Sequence, residues 1–489
     1  MPETAPDPAV RRTGKQIPDA LAERTLRKVR RRVLPVIVLL YLVAYLDRNN
    51  VGFARAGLEH DLGFGDAVYG LGAGIFFIGY VLMEVPSNAG MYRYGARRWI
   101  ARILVSWGVM ALAMAFVQGA TSFYTVRLLL GAAEAGFFPA VLFYFTLWFP
   151  EAQRVAALGV FVMAQPVANA LGAPLSGLLL HLDGVAGLHG WQWMFLLEGA
   201  PAVVLGCLAP RLLTDTPADA RWLTGEERAW LTSSLEAERA DKPARQRGGS
   251  FVTGLKDRRS LVYGLLNFGM VCGIYGLGLW LPAIVDAMGD YSSTLLGLLV
   301  MIPYAVAVPC VLYWSRRADR TGRRAWHAAV SMATAAAGLA GAALVYTISP
   351  AAALLMLVVA AVGIYTATAP FLAMPSAALA GAAAAAGLGL VNALGNVGGF
   401  VAPYAVGLIK DGTGDIRYAL LFLAACLALT ALLVHRYAAA RPEGTAPGRP
   451  AAPAPAAANL PATPLPAAPF PATSLPATSA PATTTVPTD

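Results

Sequence analysis

Two pairs of oppositely charged residues lie in stretches of the sequence that are otherwise apolar. Asp47 and Arg48 are adjacent, whereas Arg127 and Glu134 are seven residues apart within 122–149. That spacing places Arg127 and Glu134 on one face of a helix, about two turns apart. Ionisable side chains in apolar helices usually face a cavity or a partner. The acids could bind protons and the arginines an anionic group; a structural salt bridge is the alternative.

The composition indicates that these charges lie in a lipid bilayer. Of the 489 residues, 57% are hydrophobic and 13% are charged, and the mean hydropathy is +0.57. A membrane-spanning helix needs about 20 mostly apolar residues. Twelve such runs are predicted, at 33–54, 67–88, 99–118, 122–149, 155–180, 192–213, 260–287, 293–315, 325–347, 351–374, 382–409 and 416–438. The expected fold class is an all-α polytopic membrane protein.

Basic residues between the runs give a predicted orientation. Arg97 and Arg98 follow the second run and five arginines between 316 and 324 follow the eighth, whereas Asp61 and Asp66 follow the first. Cytoplasmic loops carry the excess of positive charge, so both termini are expected in the cytoplasm, with the protein in the plasma membrane. The net charge of +9 is therefore not interpreted as a nucleic-acid-binding surface.

A polar interruption divides the runs into two sets of six. In its middle, Thr224 and Glu227 have the three-residue spacing of a capping box that begins a short helix. Similar basic loops at 93–99 and 320–326 suggest two duplicated halves. The predicted domains are a basic cytoplasmic leader at 1–32, an N-terminal six-helix bundle at 33–213, a cytoplasmic linker at 214–259, a C-terminal six-helix bundle at 260–438 and a disordered Ala/Pro/Thr-rich cytoplasmic tail at 439–489.

The depths of the charged residues suggest a shared cavity. With a rise of about 1.5 Å per residue, Asp47 lies ~21 Å from the cytoplasmic edge. The helix with Arg127 and Glu134 runs in the opposite direction, which puts them ~23 Å and ~13 Å from the same edge. Two acids and two arginines are therefore predicted to line one cavity, with a purely structural network as the alternative.

Other polar residues at mid-membrane depth could either line the cavity or bond a neighbouring helix. Glu84, near the end of the second run, is expected to tether a loop. The cysteines and histidines lack metal-ligand spacing, and no phosphate-binding loop is present, so no enzyme, metal or bound cofactor is expected. The uncharged polar candidates are Tyr80, Gln165, Asn169, Asn267, Tyr275, Tyr365, Asn392 and Asn396.

Six ordered motifs occur between about residues 30 and 438. They are YLDRNNVGFA at 45–54, GYVLMEVPSN at 79–88, GARRW at 95–99, RLLLGAAEAGFFP at 127–139, WQWMFLLEG at 191–199 and NALGNVGGF at 392–400. Together they resemble the major facilitator superfamily, specifically its anion:cation symporter family of organic-anion permeases. The resemblance implies twelve transmembrane helices in two pseudo-symmetric six-helix bundles around a central cavity. It also implies cotransport of small organic anions with protons or sodium, and we expect a monomer.

The resemblance also implies roles for individual residues. Arg48 and Arg127 would bind the substrate carboxylate, and Asp47 and Glu134 would carry the coupling proton. Leu372 stands where many relatives carry tryptophan, so the substrate's identity is not transferred. Positions similar to cavity-lining ones are Tyr45, Tyr80, Gln165, Asn392 and Asn396.

The function predicted on these grounds is import of a small carboxylate, such as a sugar acid, dicarboxylate or aromatic acid, by proton symport through alternating access. Protons are preferred to sodium as the coupling ion. One alternative is an efflux antiporter of the same superfamily, since residues 171–177 partly resemble the antiporter signature. The other is a membrane sensor that resembles a transporter and binds its ligand without net flux.

Overall fold

The computed structural model describes residues 8–241, 257–378 and 384–439. These residues form fifteen α-helices and a few short 3-10 turns, and no strand occurs among them. Ten helical segments of this described part are long and apolar enough to cross a membrane. Residues 1–7 of the predicted leader, 242–256 of the predicted linker and all but the first residue of the predicted tail lie outside the described residues.

Each predicted run corresponds to one helix or to two consecutive helices. The helices are α1 Pro8–Asn49, α2 Val51–Leu62, α3 Asp66–Tyr94, α4 Ala96–Ala113, α5 Ala120–Glu134, α6 Phe137–Trp148, α7 Glu151–Leu179, α8 Gly190–Leu212, α9 Gly225–Asp241, α10 Arg258–Asp286, α11 Ser293–Thr321, α12 Arg324–Val345, α13 Pro350–Ala378, α14 Ala384–Thr413 and α15 Ile416–Ala439. We refer to α1–α8 as the N-terminal half and to α10–α15 as the C-terminal half.

The first run continues through the junction of α1 and α2. Asn50, between them, has helical backbone angles of φ −58° and ψ −29°. Its N–H donates to the Leu46 carbonyl at 3.0 Å, and its own carbonyl accepts from Ala54 N–H at 3.1 Å. The junction therefore leaves the helix direction intact, and Asp47 and Arg48 lie within one crossing.

The fourth run, by contrast, is broken between α5 and α6, directly after Glu134. Pro139 has no N–H to donate to the carbonyl four residues earlier, which is that of Ala135. The Ser87 hydroxyl on α3 donates to that carbonyl instead, at 2.6 Å. Gly136 then adopts φ +85°, a conformation that glycine tolerates best. This break places Glu134 at the end of a helix rather than in its middle.

The two halves contact one another along three helix pairs, α2 with α10, α3 with α14 and α7 with α11. The approach is closest where α2, α7, α10 and α14 end and where α3 and α11 begin; we call this the closed end. A Cβ atom on Gly74 would lie 2.6 Å from the Phe400 carbonyl, and one on Gly177 would lie 2.4 Å from the Ser293 carbonyl. Only glycine permits backbones to pack so closely.

Charged groups join the halves at the closed end as well. Asp66 on α3 accepts from Lys410 Nζ on α14 at 3.2 Å. The same carboxylate accepts from Arg55 Nε on α2 at 3.0 Å. Arg55 and Lys410 both lie beside the Trp280 ring, with Arg55 Cζ 5.6 Å and Lys410 Nζ 5.8 Å from its centroid. The closed end is therefore fastened by ion pairs as well as by backbone packing.

The predicted capping box at the start of α9 is confirmed. Thr224 N–H donates to Glu227 Oε2 at 3.0 Å, and Glu227 N–H donates to Thr224 Oγ1 at 3.3 Å. The Glu227 carboxylate also pairs with Arg24 Nε at 3.0 Å and Lys28 Nζ at 2.8 Å on α1. The helix of the linker is thus attached to the basic leader.

Candidate functional site

Arg48 connects an acid of its own half to a tyrosine of the other half. Its Nη2 group pairs with Glu134 at the end of α5, and its Nη1 group donates to the Tyr275 hydroxyl on α10 at 2.7 Å. The Arg48 side chain is 11% exposed and that of Glu134 is 2% exposed. The predicted grouping of Arg48 with Glu134 is therefore present, at the interface between the halves.

Aromatic rings surround the Arg48 guanidinium. The distances from Arg48 Cζ to the ring centroids are 4.9 Å for Tyr45, 5.3 Å for Phe76, 5.8 Å for Tyr80 and 5.9 Å for Tyr275. Rings at this distance attract a cation and replace the water around it. Tyr45 and Tyr80, two residues predicted to line the cavity, thus lie beside the Arg48 guanidinium; their contact with a substrate stays a prediction.

Arg127 is near this cluster, but its guanidinium is engaged elsewhere. Its Nε and Nη2 groups donate to the carbonyls of Gly72 at 3.1 Å and Ala73 at 3.0 Å on α3. Only 1% of the residue is exposed. Its Cζ lies 5.1 Å from the Phe76 ring, the ring that also neighbours Arg48. In this conformation Arg127 fastens α5 to α3, and its predicted contact with a substrate stays a prediction.

Asp47 faces away from Arg48, because adjacent residues point about 100° apart around a helix. It is 3% exposed. The charged groups that act on it most strongly are Glu198 on α8 and then Glu134, and the Trp107 indole is beside it. Neither carboxylate oxygen has a hydrogen-bond partner within the described ranges. Asp47 is thus buried inside the N-terminal half rather than at the Arg48 site.

Two hydrogen bonds through amide side chains also connect the halves, beginning at Asn49, the residue after Arg48. Asn49 Nδ2 on α1 donates to Asn169 Oδ1 on α7 at 2.6 Å, and Asn169 Nδ2 donates to the Tyr365 hydroxyl on α13 at 2.8 Å. The predicted site residue Gln165 is buried. It lies one turn before Asn169 on α7, on the same helix face.

The remaining two candidates lie on α14, one turn apart. Asn392 Nδ2 donates to Glu84 Oε1 on α3 at 2.6 Å. The prediction that Glu84 tethers a loop is therefore wrong, because its partner is a helix of the other half. Asn396 is half-buried. Within the described part of the chain, neither amide is hydrogen-bonded to Arg48 in this conformation, and their predicted roles in the cavity stay predictions.

Comparison with known proteins identifies the family. A sequence model described as the Major Facilitator Superfamily matches residues 37–403. The chain belongs to the Major Facilitator Superfamily. It is accordingly a multi-pass membrane transporter of small metabolites and not an enzyme, as the sequence motifs predicted.

Individual relatives of this transporter carry different names. A protein of Agrobacterium vitis, named "Putative tartrate transporter", is 45% identical over 416 residues, covering 84% of this chain and 94% of the relative. A "Quinolone resistance transporter" of Acinetobacter baumannii is 42% identical over 412 residues, covering 84% of this chain and 94% of the relative. The solved xylose transporter of E. coli matches with a TM-score of 0.67 at 13% identity, covering 83% of this chain and 98% of that one. This last likeness establishes the fold alone.

Sequence reasoning did not assign two residues that the transporter places next to its charged groups. Tyr275 appeared only as one of several polar candidates, although it bonds Arg48 directly. Glu198 appeared only within the motif at 191–199, although it is 3% exposed and acts on Asp47. An acid inside an apolar run was the available signal for Glu198.

Proposed function

We propose that this transporter imports a small organic carboxylate together with a proton. The observation that carries the proposal is the pairing of Arg48 with Glu134 at the interface between the halves. Arginine is suited to a carboxylate because its planar guanidinium offers two parallel hydrogen bonds and keeps its charge in an apolar site. In this conformation one side of that guanidinium is occupied by the protein's own acid.

The pairing suggests how proton and substrate would be coupled. When Glu134 takes up a proton, its attraction to Arg48 falls, and Arg48 becomes available to the carboxylate of a substrate. The site would then hold a neutral acid and a neutralised arginine, so it could change orientation without bare charge in the membrane. Protonation and carboxylate binding would thus favour each other by competition at one guanidinium.

The other predicted residues are proposed to support this exchange. Asp47 carries a proton within the N-terminal half. Arg127, whose guanidinium neighbours the same Phe76 ring as that of Arg48, adds positive charge near the site. It also holds α5 against α3. Tyr45 and Tyr80 enclose the bound carboxylate, and the more distant amides contact the rest of the substrate when the halves rearrange. These distant amides are Gln165, Asn392 and Asn396.

The contacts at the closed end support alternating access. By the charge of the loops, both termini are in the cytoplasm and the closed end faces outward, across the inner membrane of a bacterium. Separation of Asp66 from Lys410, which are 3.2 Å apart, would open the outer side as the halves rock about the site.

The names of the relatives support a carboxylate but allow two directions of transport. Tartrate is a hydroxylated dicarboxylate, and the name of the Agrobacterium vitis relative favours this class as the substrate. The second candidate function is proton-coupled efflux, which the name of the Acinetobacter baumannii relative favours. Quinolones also bear a carboxylate, so a carboxylate site alone does not distinguish the two.

Counterflow in liposomes tests the substrate class without depending on direction. Purified protein is reconstituted into vesicles, each loaded with one unlabelled compound (tartrate, a sugar acid, an aromatic acid, a quinolone or the diamide of an acid), and entry of the same compound in labelled form is measured. We expect a small carboxylate to drive counterflow, whereas the corresponding uncharged diamide does not. Counterflow with the diamide, or with quinolone as the only active compound, would contradict import of a small carboxylate.

A further inference from the structure

A pair of buried acids in the N-terminal half has no part in the Arg48 site. Asp47 on α1 and Glu198 on α8 are each 3% exposed. Both oxygens of Asp47 and the Oε2 atom of Glu198 lack a hydrogen-bond partner among the residues the structure describes. The other Glu198 oxygen accepts from the Ser176 hydroxyl on α7 at 2.7 Å. Among the described residues, no donor therefore meets hydrogen-bond geometry at three of the four carboxylate oxygens, although Trp107 and Asn50 lie near enough to act on the pair.

The neighbours of this acid pair do not compensate its charge. Glu198 and Glu134 are the charged groups that act on Asp47, and both are acidic. The Trp107 indole N–H also acts on Asp47, but it does not meet hydrogen-bond geometry with any described residue. Asn50 and Ser176 are the polar groups that act on Glu198. Arg48, the nearest cation in sequence, is engaged with Glu134 and Tyr275. Two carboxylates without a cation in an apolar interior cannot both be ionised at modest cost.

A small cavity between the halves is lined by neighbours of this acid pair, although not by Asp47 or Glu198 themselves. Its volume is about 20 Å³, roughly the space of one water molecule in a polar cavity. Asn50 and Ser176, which neighbour Glu198, line this cavity, and so does Asn169. Asn169 in turn donates to Tyr365 of the C-terminal half. A proton leaving the pair would thus have polar groups along its way.

We propose that Asp47 and Glu198 together hold one exchangeable proton, at a site distinct from the Arg48–Glu134 pair. The inference deepens the proposed proton coupling and rests on it for its role in transport. Glu198 is then the residue that keeps a proton on Asp47, since loss of that proton would leave two uncompensated negative charges in one apolar interior. The unpartnered oxygens of both residues supply the positions where the proton resides.

The proposed proton site is tested by infrared spectroscopy, which detects protonated carboxyl groups as the pH is changed. The full-length protein in liposomes, without substrate, is titrated from acid to alkaline pH, and the signal lost on Asp47→Asn identifies the proton on Asp47. In Glu198→Gln, the like charge is removed while the bond from Ser176 is kept. We expect the Asp47 proton to be released at lower pH, with its affinity at least about tenfold weaker.

The reciprocal and control variants make the result specific. In Asp47→Asn, the Glu198 proton should also leave at lower pH, and the double variant should lose both signals. Glu84→Gln neutralises another buried acid of the same half, whose partner is Asn392, and should leave the Asp47 titration unchanged. An Asp47 titration that is the same with and without Glu198 would overturn the proposal. Because no substrate is present, failure of carboxylate transport would not affect this measurement.

Discussion

Arg48 and Tyr275 form a hydrogen bond of 2.7 Å between the two halves of the protein. The same guanidinium pairs with Glu134 within the N-terminal half. One side chain therefore contacts both an acid of its own half and a tyrosine of the opposite half. In the proposed mechanism, this side chain would respond both to protonation of Glu134 and to movement of the C-terminal half.

Tyr275→Phe should weaken carboxylate binding by removing the hydroxyl that orients Arg48 while keeping the aromatic ring. A hydrogen bond to a charged group contributes about 1.5–3 kcal/mol, so we expect a loss of affinity of roughly tenfold or more. Thermal shift against a series of carboxylate concentrations measures it. Tyr418→Phe, at an exposed position, is the control. Equal affinity of Tyr275→Phe and the control would show that the bond does not matter for binding.

Glu134→Gln should release Arg48 permanently, because the amide cannot form the ion pair. We expect carboxylate affinity to become independent of pH between weakly acidic and neutral conditions. Exchange of labelled for unlabelled substrate should persist, whereas accumulation driven by a proton gradient should be lost. Flux measured with and without the gradient separates the two. If the variant keeps the proton dependence of the wild type, coupling resides at another group.

Arg127→Gln should affect stability more than binding, because the Arg127 guanidinium holds the carbonyls of Gly72 and Ala73. Loss of these two charge-assisted bonds should destabilise the protein by on the order of 3 kcal/mol. The thermal unfolding midpoint of the purified protein and carboxylate affinity at a lower temperature give the two effects separately. A variant with normal unfolding that no longer binds carboxylate would instead place Arg127 in direct contact with the substrate.

The attachment of α9 to α1 should weaken in acid. Burial acts to raise the pKa of Glu227, but hydrogen bonds from Lys28 and the Thr224 N–H outweigh it and hold the pKa below its usual value. An acid of this kind stabilises the folded form above its ordinary pKa of about 4.3, and the contribution is lost as pH falls through the lower folded value. Hydrogen exchange of α9 amides, corrected for intrinsic rates, should therefore accelerate below about pH 4.

Glu227→Gln provides the matched control for that pH dependence. Glutamine can keep the capping box with Thr224, but it loses the ion pairs with Arg24 and Lys28. We expect α9 in this variant to exchange faster than wild type at neutral pH and to show little further acceleration in acid. Wild-type protection of α9 at neutral pH would mean that the cap alone holds the helix.

The sequence sufficed to predict the fold, because each membrane crossing leaves a long apolar run. It also sufficed to place Arg48 and Glu134 in one group of two acids and two arginines. The estimated depths matched Arg48 with Arg127 rather than with Glu134, so the pair that forms did not follow from helix rise and direction. The direction in which each side chain points around its helix axis was harder to predict from the sequence. Asp47 was grouped with Arg48 because they are adjacent, whereas the helix turns Asp47 toward Glu198 on α8.

Long-range partners explain the other differences between expectation and structure. The break after Glu134 depends on a hydroxyl from α3, that of Ser87, which takes the carbonyl freed by Pro139. Glu84 meets Asn392, 308 residues away in sequence. Neither relationship has a local signature, since both arise only when separate helices pack. The identities of these polar residues were visible in the sequence, but their partners were not.

Gradient-driven uptake into proteoliposomes tests the central claim, cotransport of a carboxylate with protons, most directly. Vesicles at neutral internal pH, with a trapped pH indicator, are placed in acidic medium with labelled tartrate or the carboxylate found by counterflow. We predict accumulation above the external concentration, with substrate-dependent acidification of the interior, and loss of accumulation on adding a protonophore. Uptake that is unaffected by the protonophore, or substrate entry that drives protons outward, would contradict proton symport.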